Sequence, residues 1–278
     1  MLERLPHQGA DMLRLKSLLM RKIFALAFVV SISSFGQPEA ILASGDDTVR
    51  IAVEGAFPPF NYLDSANKLQ GFDVDIAKAL CETAKLKCEF VIQEWTTMIP
   101  GLLDKQYDVI ISSMSMSAER REKVSFTQKY YDSPSVFIVR KGSVIAGTTP
   151  DSLRKSRLGV TSGTSQEAYA KKFYPVVSTT VFQASPDLYK GLAEGNVDII
   201  MEDKLAVYDW LANTKAGSCC EFLGGDIKNT EFFGDGAGIA LRPSDRQLLA
   251  QFNAALDTIQ SDDTYDTINA KYFPFSIR

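Results

Sequence analysis

The chain has 278 residues, with 30 Lys+Arg against 34 Asp+Glu, 45% hydrophobic residues, four cysteines and a single histidine, His7. Five of the 30 cations and three of the 34 acids fall within residues 1–43, so the remainder carries 25 cations against 31 anions, a net −6. That acidic balance argues against nucleic acid or an anionic membrane surface as the main partner. Beyond residue 43 no histidine is left for a Ser-His-Asp or Cys-His catalytic set or a His-containing metal site.

Residues 20–43 read as a secretory signal. Arg21 and Lys22 precede an apolar run at 23–32, short against the roughly 20 residues that span a bilayer. Small residues at Ala40 and Ala43 offer a cleavage site. The segment 1–43 is therefore expected to be a signal peptide. Its first 19 residues are an extended start if Met20 begins the chain; an N-terminal membrane anchor is the alternative. No cysteine lies near the cleavage region, so a lipoprotein anchor is not expected.

Alternating elements follow. Val49–Val53 is predicted to be a strand. The apolar positions Val74, Ile76, Ala77 and Leu80 fall on one face of a helix over 73–84. Cys88–Ile92 reads as a strand, Met98–Leu103 as a helix and 109–111 as a buried strand, which is βαβα traffic around a mostly parallel sheet. Cys81 and Cys88 stand seven apart at a helix-to-strand turn, and in an exported chain they either bridge or remain buried thiols.

The strand at 109–111 ends in the hydroxyls of Ser112, Ser113, Ser115 and Ser117, with Arg120 just beyond. Small donors beside a guanidinium fork suit a carboxylate. A strand followed by a polar helix cap is the plainer alternative.

After an extended stretch over 131–140 a second alternating set begins. It has strands at 157–160, 177–182 and 197–201, and helices at 167–173, 187–194 and Lys204–Asn213. A glycine-rich segment, 232–238, leads to a strand ending at Leu241, and helices over 245–260 and Thr264–Tyr272 close the chain. Cys219 and Cys220 are adjacent, have no zinc pattern, and their state stays open.

Ligands of open α/β sheets lie beyond the carboxyl ends of the strands. Two such sets facing each other would gather four loops around one cleft: 54–60, Trp95 with 112–120, 161–166, and Glu202 with Asp203.

Five segments together resemble the periplasmic amino-acid-binding proteins of ABC importers (solute-binding protein family 3), most of all the lysine/arginine/ornithine- and histidine-binding branch. They are Glu54-Gly-Ala-Phe-Pro-Pro-Phe, Gly71-Phe-Asp-Val-Asp-Ile-Ala, Ser112-Ser-Met-Ser-Met-Ser-Ala-Glu-Arg-Arg, Gly159-Val-Thr-Ser-Gly-Thr-Ser-Gln and Asp262-Asp-Thr-Tyr-Asp-Thr-Ile-Asn-Ala-Lys-Tyr-Phe.

The resemblance implies a type II periplasmic-binding-protein fold, two α/β lobes joined by a two-stranded hinge. Residues 44–132 and 234–278 are expected to form lobe 1 and 133–233 lobe 2. Arg120 is expected to clamp the α-carboxylate of an amino acid, helped by backbone and hydroxyls near Ser113, Ser115 and Thr164, with Ser112, Thr161 and Ser165 as further ligand-binding candidates. Asp203 is expected to accept from the α-ammonium. Phe57 and Trp95 match the rings that sandwich the side chain, Glu54 the acid at its far end, and Gln166 lies beside the same tail. The Cys81–Cys88 pair matches a disulfide of that branch.

Glu54 is longer than the aspartate of that branch, Trp95 bulkier than the usual Phe or Leu, and Thr161 polar where an apolar residue is frequent. These departures point toward arginine or a larger derivative such as an opine. The implied protein is a periplasmic monomer without cofactor or metal that hands a cationic amino acid to a membrane permease. The alternative is an enzyme on the same scaffold, similar to cyclohexadienyl (arogenate/prephenate) dehydratase, with Glu202 as general acid.

Overall fold

The computed structural model describes residues 48–278. The expected signal peptide, 1–43, lies outside the described residues. Val49–Val53 is apolar except at Arg50 and buried nearly throughout, as befits a strand covered on both faces. It pairs in parallel with Cys88–Ile92 and Val109–Ile110, Ile51 standing opposite both Phe90 and Val109. Ala237–Leu241 joins antiparallel to Val109–Ile110, and Ser125–Tyr131 completes this five-stranded sheet.

Helix Phe72–Thr83 connects the first strands. It buries Phe72, Ile76 and Leu80 in one core with Phe252, Leu256 and Ile259 of helix Arg246–Ser261. Each such side chain contributes about 1.5–3 kcal/mol on burial. A disulfide joins Cys81, near the end of that helix, to Cys88, the first residue of the next strand.

The second five-stranded sheet sets Arg157–Thr161 between Ser178–Phe182 and Ile199–Asp203, all parallel. Ser135–Arg140 and then Cys220–Ile227 extend it antiparallel. Alternating residues serve two cores, one holding Leu188, Leu192 and Ile200, the other Phe137, Leu158 and Ile199.

Three differences from expectation have physical causes. Each sheet is mixed rather than mostly parallel, because in each a strand entering from the other lobe inserts antiparallel beside the parallel trio. The extended stretch expected at 131–140 divides into Ser125–Tyr131 and Ser135–Arg140, one strand per sheet. The chain crosses between them, and it returns between Ile227 and Ala237.

Cys220–Ile227 was not expected as a strand. It is an exposed edge whose Gly224 and Gly225 break any alternation, and pairing with Ser135–Arg140 creates it. Cys219 and Cys220 are bonded to each other where that edge begins. Among the described residues no helix is long and apolar enough to cross a membrane.

Candidate functional site

One cavity opens where the carboxyl ends of parallel strands from both sheets meet. Glu54 follows Val49–Val53, Ser112 and Ser113 follow Val109–Ile110, and Thr161 and Asp203 are the last residues of their strands. A side chain leaving the end of a strand is free of the ladder yet held by a rigid base.

On the first-lobe face a buried polar network sets two loops. The Glu54 N–H donates to Ser112 Oγ (3.1 Å) and the Gly55 N–H to Asn61 Oδ1 (2.8 Å). Asn61 Nδ2 (2.8 Å), Ser113 Oγ (2.9 Å) and the Tyr130 hydroxyl (2.7 Å) all donate to the fully buried Asp73. Burial pushes that carboxyl up to about 6 while the three donors pull it back. Ser113 has φ 53°, a left-handed conformation, and its N–H donates to Tyr130 Oη at 3.0 Å. The hydroxyls of Ser112 and Ser113 thus serve the loops that carry the site.

Arg120 belongs to the short helix Ala118–Arg121, capped by the Ser117 hydroxyl. It is only 8% exposed. Its Nη1 donates to the Ser115 carbonyl and its Nη2 to the Gly163 carbonyl, both at 3.1 Å, and its carbon lies 5.0 Å from the Trp95 ring centre. Among the described residues it forms no salt bridge. Burial lowers its pKa to about 10, so it stays cationic at neutral pH. Of its five N–H donors, two are engaged by carbonyls, and the rest suit a carboxylate.

On the second-lobe face, Thr164 caps helix Ser165–Phe173. It accepts from the Glu167 N–H (3.2 Å) and donates to the Thr161 carbonyl (2.6 Å). The positive end of a nine-residue helix therefore borders the cavity at Thr164–Gln166. Gly163 has φ 67°, and its carbonyl receives both Arg120 and the Trp95 indole N–H (3.2 Å), closing first lobe on second. A Cβ there would be strained and would lie 3.3 Å from Thr96 Cγ2. Gln166 Nε2 donates to Ser135 Oγ at 3.0 Å. The Thr161 hydroxyl is buried and, among the described residues, has no hydrogen-bond partner.

Asp203 caps helix Lys204–Asn213. The N–H groups of Leu205 (2.9 Å) and Ala206 (3.1 Å) and the Ser133 hydroxyl (2.7 Å) all donate to Oδ1. Burial raises this carboxyl to about 6 against those donors. Glu54 is raised to about 7, by burial first and by the charge of Glu94 second. Among the described residues three acids, Glu54, Glu202 and Asp203, line this cavity with one cation, Arg120.

All twelve residues singled out from the sequence line this cavity. Phe57 is half-buried and stacks on Phe60, ring centres 5.5 Å apart. Two residues absent from that set join them, Ser185 and Glu202. Glu202 belongs to the loop expected at the cleft together with Asp203, and both sit where the strand ends. Ser185 opens helix Ser185–Ala193, and its Ser-Pro sequence signals a helix start and nothing of a ligand.

Residues 49–275 match the model of the bacterial extracellular solute-binding proteins, family 3. The chain is 36% identical over 259 residues to the lysine/arginine/ornithine-binding periplasmic protein of Escherichia coli K12, covering 92% of this chain and 98% of that one. It is 35% identical over 236 residues to the L-arginine-binding protein of Pseudomonas aeruginosa, covering 84% and 91%. A solved structure of an ancestral arginine-binding protein bound to arginine superposes with a TM-score of 0.74 at 31% identity, covering 82% of this chain and 98% of that one.

Proposed function

Because this chain belongs to the bacterial extracellular solute-binding proteins, family 3, we propose that it captures a cationic amino acid, or a derivative such as an opine, and delivers it to an ABC permease. The observation that carries this is the charge balance of the cleft. Among the described residues Arg120 is buried without a salt-bridge partner, and Glu54, Glu202 and Asp203 line the same cavity. A neutral zwitterion satisfies Arg120 and one acid, whereas a cationic amino acid also gives the remaining carboxyls, which burial holds near their point of ionisation, a partner in their charged form.

In this assignment Arg120 takes the α-carboxylate, helped by the helix end at Thr164–Gln166. Asp203 takes the α-ammonium on Oδ2, since its protein donors converge on Oδ1. Glu54 meets the distal cation, and Phe57 and Trp95 flank the chain between. Cation–π contact adds about 0.5–2 kcal/mol. Arg120 and Asp203 belong to opposite lobes, so the ligand bridges the cleft and favours its closed form. Lobe 1 is assigned to 44–132 and 234–278 and lobe 2 to 133–233. The protein is assigned to the periplasm as a monomer, exported through its N-terminal 43 residues.

Thermal-shift screening of arginine, lysine, ornithine, histidine, opines and the uncharged amino acids tests this. A ligand at about 100 times its Kd stabilises by roughly 2.7 kcal/mol. Cationic ligands are expected to raise the melting temperature, and no shift with any of them overturns the assignment. A second function, the dehydratase, is favoured by one observation: Glu202 is raised to about 8 and keeps a proton at neutral pH, as a general acid must. Product formation from arogenate or prephenate would establish it.

A further inference from the structure

Glu202 is the most deeply buried acid lining the cleft, 4% exposed. Its two oxygens are pinned separately: Oε1 accepts the Asp203 N–H at 2.8 Å and Oε2 the Ser185 hydroxyl at 3.0 Å. Ser185 stands at the start of helix Ser185–Ala193, so a second element holds the carboxyl in place. Among the described residues no salt bridge reaches Glu202 or Glu54.

The titratable groups facing Glu202 are acidic or phenolic. They are Asp203 on its own strand, Glu54 across the cleft and Tyr189 on the Ser185–Ala193 helix. The neighbouring strand contributes the Thr161 hydroxyl, buried and unpartnered at the same cavity. Two carboxyls line one cavity from opposite lobes, Glu202 with two neutral donors behind it, and the unpartnered Thr161 hydroxyl lines the same cavity, so the site is incomplete. What completes it is a cation with several donors on more than one edge.

We infer that Glu202, positioned by Ser185, is a second anionic contact for the ligand's side-chain cation, and that it forms with Glu54 a two-carboxylate subsite suited to guanidinium. The inference rests on the cationic assignment made above and adds a residue to it. A planar guanidinium offers five N–H groups on distinct edges and so serves two carboxylates at once, whereas an ammonium is a point charge with three. Before binding, burial keeps both acids partly protonated at neutral pH, and the arriving cation, which favours their ionised forms, drives protons off. Arginine capture therefore releases a proton that glutamine capture does not.

Glu202→Gln keeps the shape and the Asp203 N–H acceptor. Isothermal titration calorimetry of the unaltered protein and this variant, with arginine and glutamine, in buffers of different ionisation enthalpy at pH 7, measures affinity and proton release together. The expected result for the variant is arginine affinity lowered on the order of 10- to 100-fold, glutamine affinity nearly unchanged, and reduced proton release with arginine. Ser185→Ala is expected to move both readouts in the same direction by less. Unchanged arginine binding in Glu202→Gln, or equal losses for arginine and glutamine, would overturn the role of Glu202 while leaving the cationic assignment standing. Failure of the unaltered protein to bind arginine or any other cationic amino acid would overturn both.

Discussion

The two ends of the cleft handle buried charge in opposite ways. Around Arg120 the guanidinium donates to two carbonyls, lies against an indole ring and faces a helix N-terminus. Burial lowers its pKa only to about 10, so the charge is permanent at neutral pH. Around Glu202 the donors are neutral, Glu54 feels the charge of Glu94, and burial first of all raises Glu54 and Glu202 to about 7 and about 8. The reason is intrinsic. A guanidinium begins far above physiological pH and survives desolvation, whereas a carboxyl begins below it and is carried across. In the proposed assignment one end is a fixed clamp for what all amino acids share, and the other a titrating sensor for what distinguishes them.

The hardest test of that contrast is Arg120→Ala. It is expected to abolish binding of every amino acid, cationic or neutral, because truncation leaves a buried carboxylate unpaired at a cost of about 3–5 kcal/mol. Calorimetry with arginine and glutamine checks it, and survival of glutamine binding would mean the clamp is not shared. The ligand-free variant should melt no lower than the parent, since a buried cation without a salt bridge has been removed.

A pH series sharpens the other end. Arginine affinity should rise from pH 5 to 8, by about tenfold per pH unit for each proton released. Glutamine affinity should level off once Asp203, at about 6, has ionised. Ligand-free stability should run the opposite way. Glu202 holds in the folded state a proton that the unfolded chain gives up above about 4.5, so its contribution is lost as pH rises toward about 8. Melting curves across that range measure it, and a flat profile for both ligands and for stability would erase the difference between the ends.

The smallest expected effect is at the mouth. Trp95→Phe keeps a ring but removes the indole donor to the Gly163 carbonyl. It should weaken all ligands about 2- to 10-fold, in line with a net hydrogen bond of about 0.5–1.5 kcal/mol. A loss confined to cationic ligands would instead place this ring at the sensor end.

Much of this site was legible because its residues stand at strand ends, where apolar runs such as Val49–Val53 give way to polar loops. Arg120 and the serines before it pointed to a carboxylate by residue type, with a polar helix cap as the plainer alternative, and the structure brings them to one cavity. What each hydroxyl does was not legible. Ser113 serves Asp73, and Thr164 caps a helix while holding the Thr161 carbonyl, since a hydroxyl takes whichever partner the fold brings within 3 Å or so. Ser185 was invisible for the same reason, its partner being 17 positions away along the chain.

The sequence by itself determined the alternation of strands and helices, the acidic balance and the chemical types gathered at the loops, because periodicity and side-chain chemistry are local properties. Only the tertiary structure decided that the antiparallel strands insert beside the parallel ones, that Cys220–Ile227 pairs at an edge, and that Ser185 is brought against the Glu202 carboxyl. Those outcomes depend on which distant segments meet and on how much water is left between them. Burial, which no stretch of residues encodes alone, is what turns ordinary acids into ones that hold a proton near neutral pH.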